Sequence, residues 1–213
     1  MYTNEHRSAI AVSFSSGPGP HCSDEGPLDE LPWDTSRIQL EDRSTLPALQ
    51  RFIVTRYNYD PGYGNGRFDV VEMLCQYSVS LVVLSLERVP IRTNELCSML
   101  LHSSKLTDLA LLYCGKLSLD DVFKFLTVPS GTPEIICPVL QRLRLDHSDI
   151  PNVQPFVEMV SSRWQYAKIK GMGLSLSGYV QKKGFFVSDG QRQQVEHCIS
   201  EGLDYDMRWL LGQ

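Results

Sequence analysis

The sequence repeats one short pattern three times: LVVLSL at residues 81–86, LTDLAL at 106–111 and LQRLRL at 140–145. Each stretch has leucine at its first, fourth and sixth positions, which is the L-x-x-L-x-L spacing at the core of a leucine-rich repeat. In an extended strand the fourth and sixth side chains lie on one face, and the residues beside them lie on the other. The three stretches therefore predict three strands that share a buried face.

An apolar triplet with helical spacing follows each stretch at almost the same distance. It begins fifteen or sixteen residues after the first leucine and has apolar residues at i, i+3 and i+4, which places them on one side of a helix. The triplets are Leu96, Met99 and Leu100; Val122, Phe125 and Leu126; and Phe156, Met159 and Val160. Because one strand and one helix cannot bury their own apolar face, the units are expected to stack on one another.

Two less regular units flank the central three. In the first of them the triplet begins 21 residues after Leu49, and in the last it begins 29 residues after Tyr166, so both are predicted to carry insertions. Their residues are Leu49, Phe52, Val54, Val70, Met73 and Leu74 in the first unit, and Tyr166, Ile169, Val195, Cys198 and Ile199 in the last. The alternation of Leu203, Tyr205 and Met207 with charged residues predicts a terminal strand.

Together these units predict an α/β fold, a short right-handed leucine-rich-repeat solenoid with a parallel β-sheet and outer helices. The strands are expected to be parallel because each helix returns the chain to begin the next strand beside the last. The repeat domain is predicted to span residues 46–213 with about five irregular repeats. Residues 1–45, rich in Ser, Gly, Pro and acidic residues, are expected to be a mostly disordered tail in which 33–40 is a candidate capping strand.

Composition narrows the class of function. A formal net charge of −5 argues against a dedicated nucleic-acid binder, because neutralising phosphates needs a surplus of Lys and Arg. The sequence contains no apolar run of bilayer length and no secretory signal in residues 1–16, so no membrane partner is expected. The six scattered cysteines indicate free thiols in a reducing compartment, and we expect a cytoplasmic or nuclear location.

One glycine-rich segment suggests an alternative function. The sequence PGYGNG at 61–66 has the spacing G-x-G-x-G before Arg67, and neither G-x-G-x-x-G nor G-K-[ST] is present. It falls in the predicted insertion of the first unit, where glycines can serve a turn. A small nucleotide-binding enzyme that uses the loop from Gly62 to Gly66 is the alternative hypothesis.

Residue types used in catalysis occur in two places without a catalytic arrangement. The sequence DHSD at 146–149 contains the residue types of a hydrolase triad, but neighbours in an extended segment point to opposite faces. Cys198 follows His197 but belongs to a buried triplet, so a structural thiol is favoured over a nucleophile. No cysteine pair or histidine pair has zinc-ligand spacing. We therefore expect no catalytic, cofactor or metal site.

Four segments carry a family resemblance: LPAL at 46–49, CPVLQRL at 137–143, MVSSRW at 159–164 and EGLD at 201–204. Over about residues 46–207 the chain resembles the C-terminal repeat region of fungal F-box and leucine-rich-repeat proteins. The resemblance implies a non-enzymatic protein–protein interaction module, since in such proteins the repeats recruit a substrate to a cullin ubiquitin ligase. Their N-terminal F-box docks a Skp1-type adaptor, and it opens with Leu-Pro-x-Glu. The only near match here, LPWD at 31–34, lacks the glutamate, so no F-box is found and that adaptor is not expected as a partner.

The predicted binding surface is the concave face of the sheet, onto which the residues beside the buried leucines point. Its basic residues cluster in the C-terminal half of the repeats, which favours binding of an acidic or phosphorylated segment of a protein partner. The alternative is that these are ordinary solvated charges. The predicted partner-binding residues are Arg51, Ile53, Val83, Ser85, Glu87, Asp108, Ala110, Arg142, Arg144 and Asp146, with Lys168 and Lys170 from the predicted fifth strand.

Overall fold

The computed structural model describes residues 9–13, 50–55, 78–89, 91–129, 131, 134–149, 152–181 and 187–207, with the backbone alone at 9–13, 55, 147–149, 180 and 181. These ranges contain seven strands and four α-helices. In chain order they are β1 (Ala9–Ser13), β2 (Arg51–Thr55), β3 (Val83–Glu87), α1 (Thr93–His102), β4 (Asp108–Leu112), α2 (Leu119–Leu126), β5 (Arg142–Asp149), α3 (Val153–Lys170), β6 (Ser175–Gln181), α4 (Asp189–Ser200) and β7 (Asp204–Met207).

The seven strands form one sheet in which the strand order follows the chain and every neighbouring pair is parallel. The predicted α/β class and the parallel order of the strands are confirmed. The register aligns Phe52, Leu84, Leu109, Leu143 and Leu176 across five strands. Leu84, Leu109 and Leu143 are 0%, 1% and 2% exposed, so the predicted buried column is present.

The helices cover this buried face. The predicted triplets of α1 and α3 are wholly buried, and Val122 and Leu126 of α2 are buried with them. Phe125, the third predicted residue of α2, is only partly buried, and Phe123 lies in the core in its place. Since α2 begins at Leu119, its inward stripe passes through residue 123, whose ring packs edge-on against Phe156 at a centroid distance of 5.3 Å.

The prediction of a fifth strand beginning near Tyr166 and Ile169 is wrong. Both residues lie in α3, which continues to Lys170 because Trp164 and Ala167 extend its buried stripe. Ile169 is 81% exposed on the opposite side of the helix. The helix ends at Gly171, whose φ of +64° is the left-handed conformation typical of helix C-termini. The fifth strand of the predicted series is instead β6.

A buried arginine anchors the long connection between α2 and β5. Arg163 of α3 is 3% exposed, and its guanidinium donates to the carbonyls of Leu126, Ile136 and Cys137. Burial lowers the pKa of this guanidinium from its usual value. The three carbonyls compensate for the loss of water around the charge, so Arg163 has a structural role.

Several predicted segments lie outside the described residues. They include the candidate strand at 33–40, the glycine-rich loop at 62–66 and the helical triplet Val70, Met73 and Leu74. Of the predicted tail, only β1 is described, and it pairs in parallel with β2. The predicted terminal strand is confirmed as β7, paired with β6. In the part of the chain that is described, no helix has the length and apolarity needed to cross a membrane.

Candidate functional site

The face of the sheet opposite the helices is the candidate site, and we call it the open face. Alternation along each strand sends every second side chain to this face, where all those described are at least partly exposed. Ten of the twelve predicted partner-binding residues lie here. The open face consists of Arg51, Ile53, Val83, Ser85, Glu87, Asp108, Ala110, Leu112, Arg142, Arg144, Asp146, Ser175, Ser177, Tyr179, Asp204 and Asp206.

Lys168 and Lys170, the other two predicted residues, do not lie on the open face. They are exposed residues of the last turn of α3, because the segment that contains them is helical rather than extended. The Lys168 ammonium donates to Glu201 at 2.6 Å, and the Lys170 ammonium lies 5.8 Å from the centre of the Tyr166 ring. The predicted cluster of four basic residues on neighbouring strands is therefore reduced to Arg142 and Arg144.

Arg142 is already paired on the sheet. Its Nε donates to the Oδ1 of Asp108, the residue directly opposite on β4. The Thr107 hydroxyl donates to the other carboxylate oxygen at 2.5 Å. Burial alone would raise the pKa of Asp108, but the hydrogen bonds from Arg142 and Thr107 outweigh it and lower the pKa. The same bond to Asp108 raises the pKa of Arg142.

Arg144 is paired as well, within its own strand. Its Nη2 and Nε donate to the Oδ2 of Asp146 at 2.7 and 3.0 Å. The Oδ1 of Asp146 accepts the backbone N–H of Tyr179 at 2.8 Å, next to an irregularity in the pairing of β5 and β6. Asp146 thus joins the two strands where their backbone ladder is interrupted.

A groove of about 460 Å³ opens on this part of the sheet. Its floor contains Gly178, whose φ of +134° brings β6 against the backbone of Leu145. Sequence reasoning missed four of the six lining residues. Three of them lie on β6 and were missed because the fifth strand was placed too early, although the alternation of Leu174 and Leu176 was an available signal. The fourth, Asp206, lies on the terminal strand, which was not included in the predicted binding surface. The groove is lined by Arg144, Asp146, Ser177, Gly178, Tyr179 and Asp206.

Three cysteines of the described part are buried: Cys114, Cys137 and Cys198. Burial raises the pKa of Cys114 to about 11 and that of Cys137 to about 12, and it also raises the pKa of Cys198. These side chains are therefore thiols rather than reactive thiolates at neutral pH. No group of His, Cys, Asp and Glu side chains within the described ranges is arranged to hold a metal ion. At His147 and Ser148 the structure describes the backbone only.

Comparison with known proteins identified no relative: no family model, curated protein or solved structure matches this chain. What the chain can do must therefore be inferred from its own geometry. In the part of the chain that the structure describes, the open face brings paired charges, hydroxyls and Tyr179 together around a groove.

Proposed function

We propose that the chain is a leucine-rich-repeat solenoid whose open face binds a protein partner, without enzymatic activity. The observation that carries the proposal is the division of each strand into two faces. Leucines at equivalent positions of β3, β4 and β5 form a buried column, while the residues between them form a continuous, partly exposed and mainly polar surface that also includes Val83, Ala110 and Leu112. Extended surfaces of this kind are what repeat proteins use for binding.

A repeated backbone bond supports the solenoid. The carbonyl of Gln50, just before β2, accepts the N–H groups of Val82 and Val83 at 2.8 and 2.9 Å. The carbonyl of Val82 accepts from the two corresponding residues at 107 and 108, and the carbonyl of Thr107 accepts from those at 141 and 142. The units of β3, β4 and β5 therefore begin their strands with the same contact to the unit before, as expected for a stack of equivalent repeats.

Cys114 supports the same proposal. It stands three residues after the last leucine of LTDLAL, where leucine-rich repeats have Asn or Cys. Its buried thiol lies 3.5 Å from the carbonyls of Leu86 and Leu112, and so contacts both its own repeat and the preceding one. Cys114 therefore connects two neighbouring repeats, as the leucine-rich-repeat pattern predicts for this position.

The biological role that best suits this architecture is recognition of a substrate or partner protein. The support is the resemblance of residues 46–207 to the repeat region of fungal F-box and leucine-rich-repeat proteins, together with the exposed polar sheet. In those proteins the repeats select the substrate of a cullin ubiquitin ligase. The proposal assigns the chain this recognition step and does not depend on an adaptor.

Site-specific photo-crosslinking tests the proposal. A photoreactive amino acid is placed at Ser85, in the middle of the open face, and in a second variant at Glu196, an exposed position of α4. In extract from cells that express the chain, we expect the Ser85 variant to give a discrete protein adduct that excess unmodified chain suppresses. The Glu196 variant is the matched control and should not give that adduct.

Two outcomes would contradict the proposal. One is an adduct obtained from α4 and not from the open face, because the helices would then be the binding surface. The other is a large rise in melting temperature with a nucleotide, since a ligand that binds the native state stabilises it according to its saturation. The second result would favour the enzyme that uses the Gly62 to Gly66 loop.

A further inference from the structure

Some charged residues of the open face are paired with each other, and others are not paired with any described residue. Arg142 is paired with Asp108 and Arg144 with Asp146, so these four residues form two neutral couples. On β7 the carboxylates of Asp204 and Asp206 are exposed, and neither makes an ion pair with a residue in the described ranges. Counting only the side chains that the structure describes, the end of the open face from β5 to β7 therefore carries a net negative charge.

Asp206 lines the groove, and Asp204 lies two residues earlier on the same face of β7. Asp206 is aligned with Ser177 of β6 and through it with Arg144 of β5, and Asp204 is aligned in the same way with Ser175 and Arg142. Neighbouring strands are about 4.8 Å apart, so the row from β5 to β7 is about 10 Å wide. A segment that crosses it meets a neutral couple first, then a serine hydroxyl, then a carboxylate that has no ion-pair partner among the described residues.

An acidic segment is poorly matched to this arrangement. Arg142 and Arg144 each already face a carboxylate, that of Asp108 or Asp146, so a second carboxylate at either guanidinium gains less net attraction than it would at an unpaired one. The acidic segment would also be repelled by Asp204 and Asp206. A basic segment reaches those two carboxylates without breaking an existing pair.

An aromatic ring in the groove favours the same ligand chemistry. Tyr179 is 46% exposed and borders the groove. A guanidinium that lies over an aromatic face gains cation–π attraction, and arginine does this more readily than lysine. The chain itself makes such a contact just after β3 and β4, where the Arg88 guanidinium lies 5.1 Å from the centre of the Tyr113 ring.

We infer that the groove between β5 and β7 binds an extended protein segment carrying arginine or lysine, with Asp204 and Asp206 as the recognising carboxylates. This inference rests on the proposed function and names its partner chemistry, which is opposite to the acidic or phosphorylated segment expected from the sequence. Tyr179 supplies an aromatic surface for the basic side chain, and Ser177 supplies a hydroxyl beside it.

Peptide binding to the full chain tests the inference. The probe is a fluorescein-labelled twelve-residue peptide in which arginine and lysine alternate with serine and glycine, and a second peptide has glutamate and phosphoserine at the basic positions. We expect the basic peptide to bind and the acidic peptide not to bind. Fluorescence anisotropy at low salt measures both. Amide NMR shifts should locate it at Ser177, Tyr179 and Asp206.

Matched variants separate specific recognition from general attraction to an acidic chain. Asp204→Asn with Asp206→Asn removes two negative charges from the open face, and Asp121→Asn with Glu196→Gln removes two from exposed positions of α2 and α4. The first pair of substitutions should lower the affinity for the basic peptide about tenfold, as expected for the loss of two charge-assisted contacts. The second pair should leave its affinity within about twofold, which is the scale of screened surface charges.

Three results would overturn the inference. Equal weakening by both pairs of variants would show that net charge alone attracts the peptide. Binding of the acidic peptide that is lost with Arg142→Gln and Arg144→Gln would assign the opposite partner chemistry and leave open-face binding intact. If neither peptide binds, the inference fails, and the Ser85 photo-crosslink then decides separately whether the proposed function also fails.

Discussion

Gly178 lies so close to the backbone of β5 that its position leaves no room for a side chain. In the strand register it is aligned with Leu145, and beyond it with Leu111, Leu86 and Val54, all of which are large and buried. Pattern alone would therefore place an apolar side chain at 178. The backbone does not allow one, because a Cβ added there would lie 1.9 Å from the carbonyl oxygen of Leu145 and φ is +134°.

Gly178→Ala is expected to lower the free energy of unfolding by about 2 kcal/mol or more, since it combines backbone strain with a steric overlap. Gly173→Ala is the matched control, because a Cβ at 173 meets no atom within 4 Å. It should change stability by less than about 0.5 kcal/mol. Urea unfolding at neutral pH measures both, and similar midpoints for the two variants would contradict the close approach of β5 and β6.

At the scale of the element, β4 shows why a single strand serves both the core and the surface. Leu109 and Leu111 are buried against the helices, while Asp108, Ala110 and Leu112 are only partly buried on the open face. The period of two in the strand produces this division, and the same period in β3 and β5 brings like residues together across the sheet. The strand therefore contributes to stability through one face and to binding through the other.

The same substitution on the two faces of β4 tests this division. Leu109→Ala should lower the free energy of unfolding by about 2–5 kcal/mol, because it leaves a cavity in a packed core. Leu112→Ala, three residues along on the open face, should cost less than about 1 kcal/mol. The measurement is the shift of the urea midpoint at constant m-value. Equal losses would show that the face assignment of β4 is incorrect.

For the whole molecule, the strand order that follows the chain means that each unit contacts mainly the unit before it and the unit after it. In such a stack an inner unit is held on two sides and an outer unit on one, so stability is the sum of units and their interfaces. Within the described residues, β4 is paired with β3 and β5, whereas β7 is paired with β6 alone. Local stability should therefore fall toward the ends.

Amide hydrogen exchange of the native chain tests this gradient. We expect the slowest exchange at Leu109 and Leu111 in β4, and exchange at least about tenfold faster at Asp204 in β7, whose N–H donates to the carbonyl of Leu174 before β6, because outer elements open at lower free energy. Uniform protection from β3 to β7 would instead indicate one cooperative unit without a nearest-neighbour gradient.

The sequence by itself determined the parts of this protein that depend on local spacing. The column of Leu84, Leu109 and Leu143 was predictable because burial of one strand face imposes a period of two. The parallel order was predictable because a helix between two strands returns the chain to the same end of the sheet. Ten residues of the open face followed from the same alternation.

Only the tertiary structure decided where the fifth strand lies and what charge the open face presents. Lys168 and Lys170 are helical because Trp164 packs in the core and donates to Glu201, a contact across 37 residues that no local pattern contains. Arg142 is neutralised by Asp108, which is 34 residues earlier, only because the strand register sets them opposite each other. Strand alternation assigns a side chain to a face, but its ionic partner depends on which strands become neighbours and in what register.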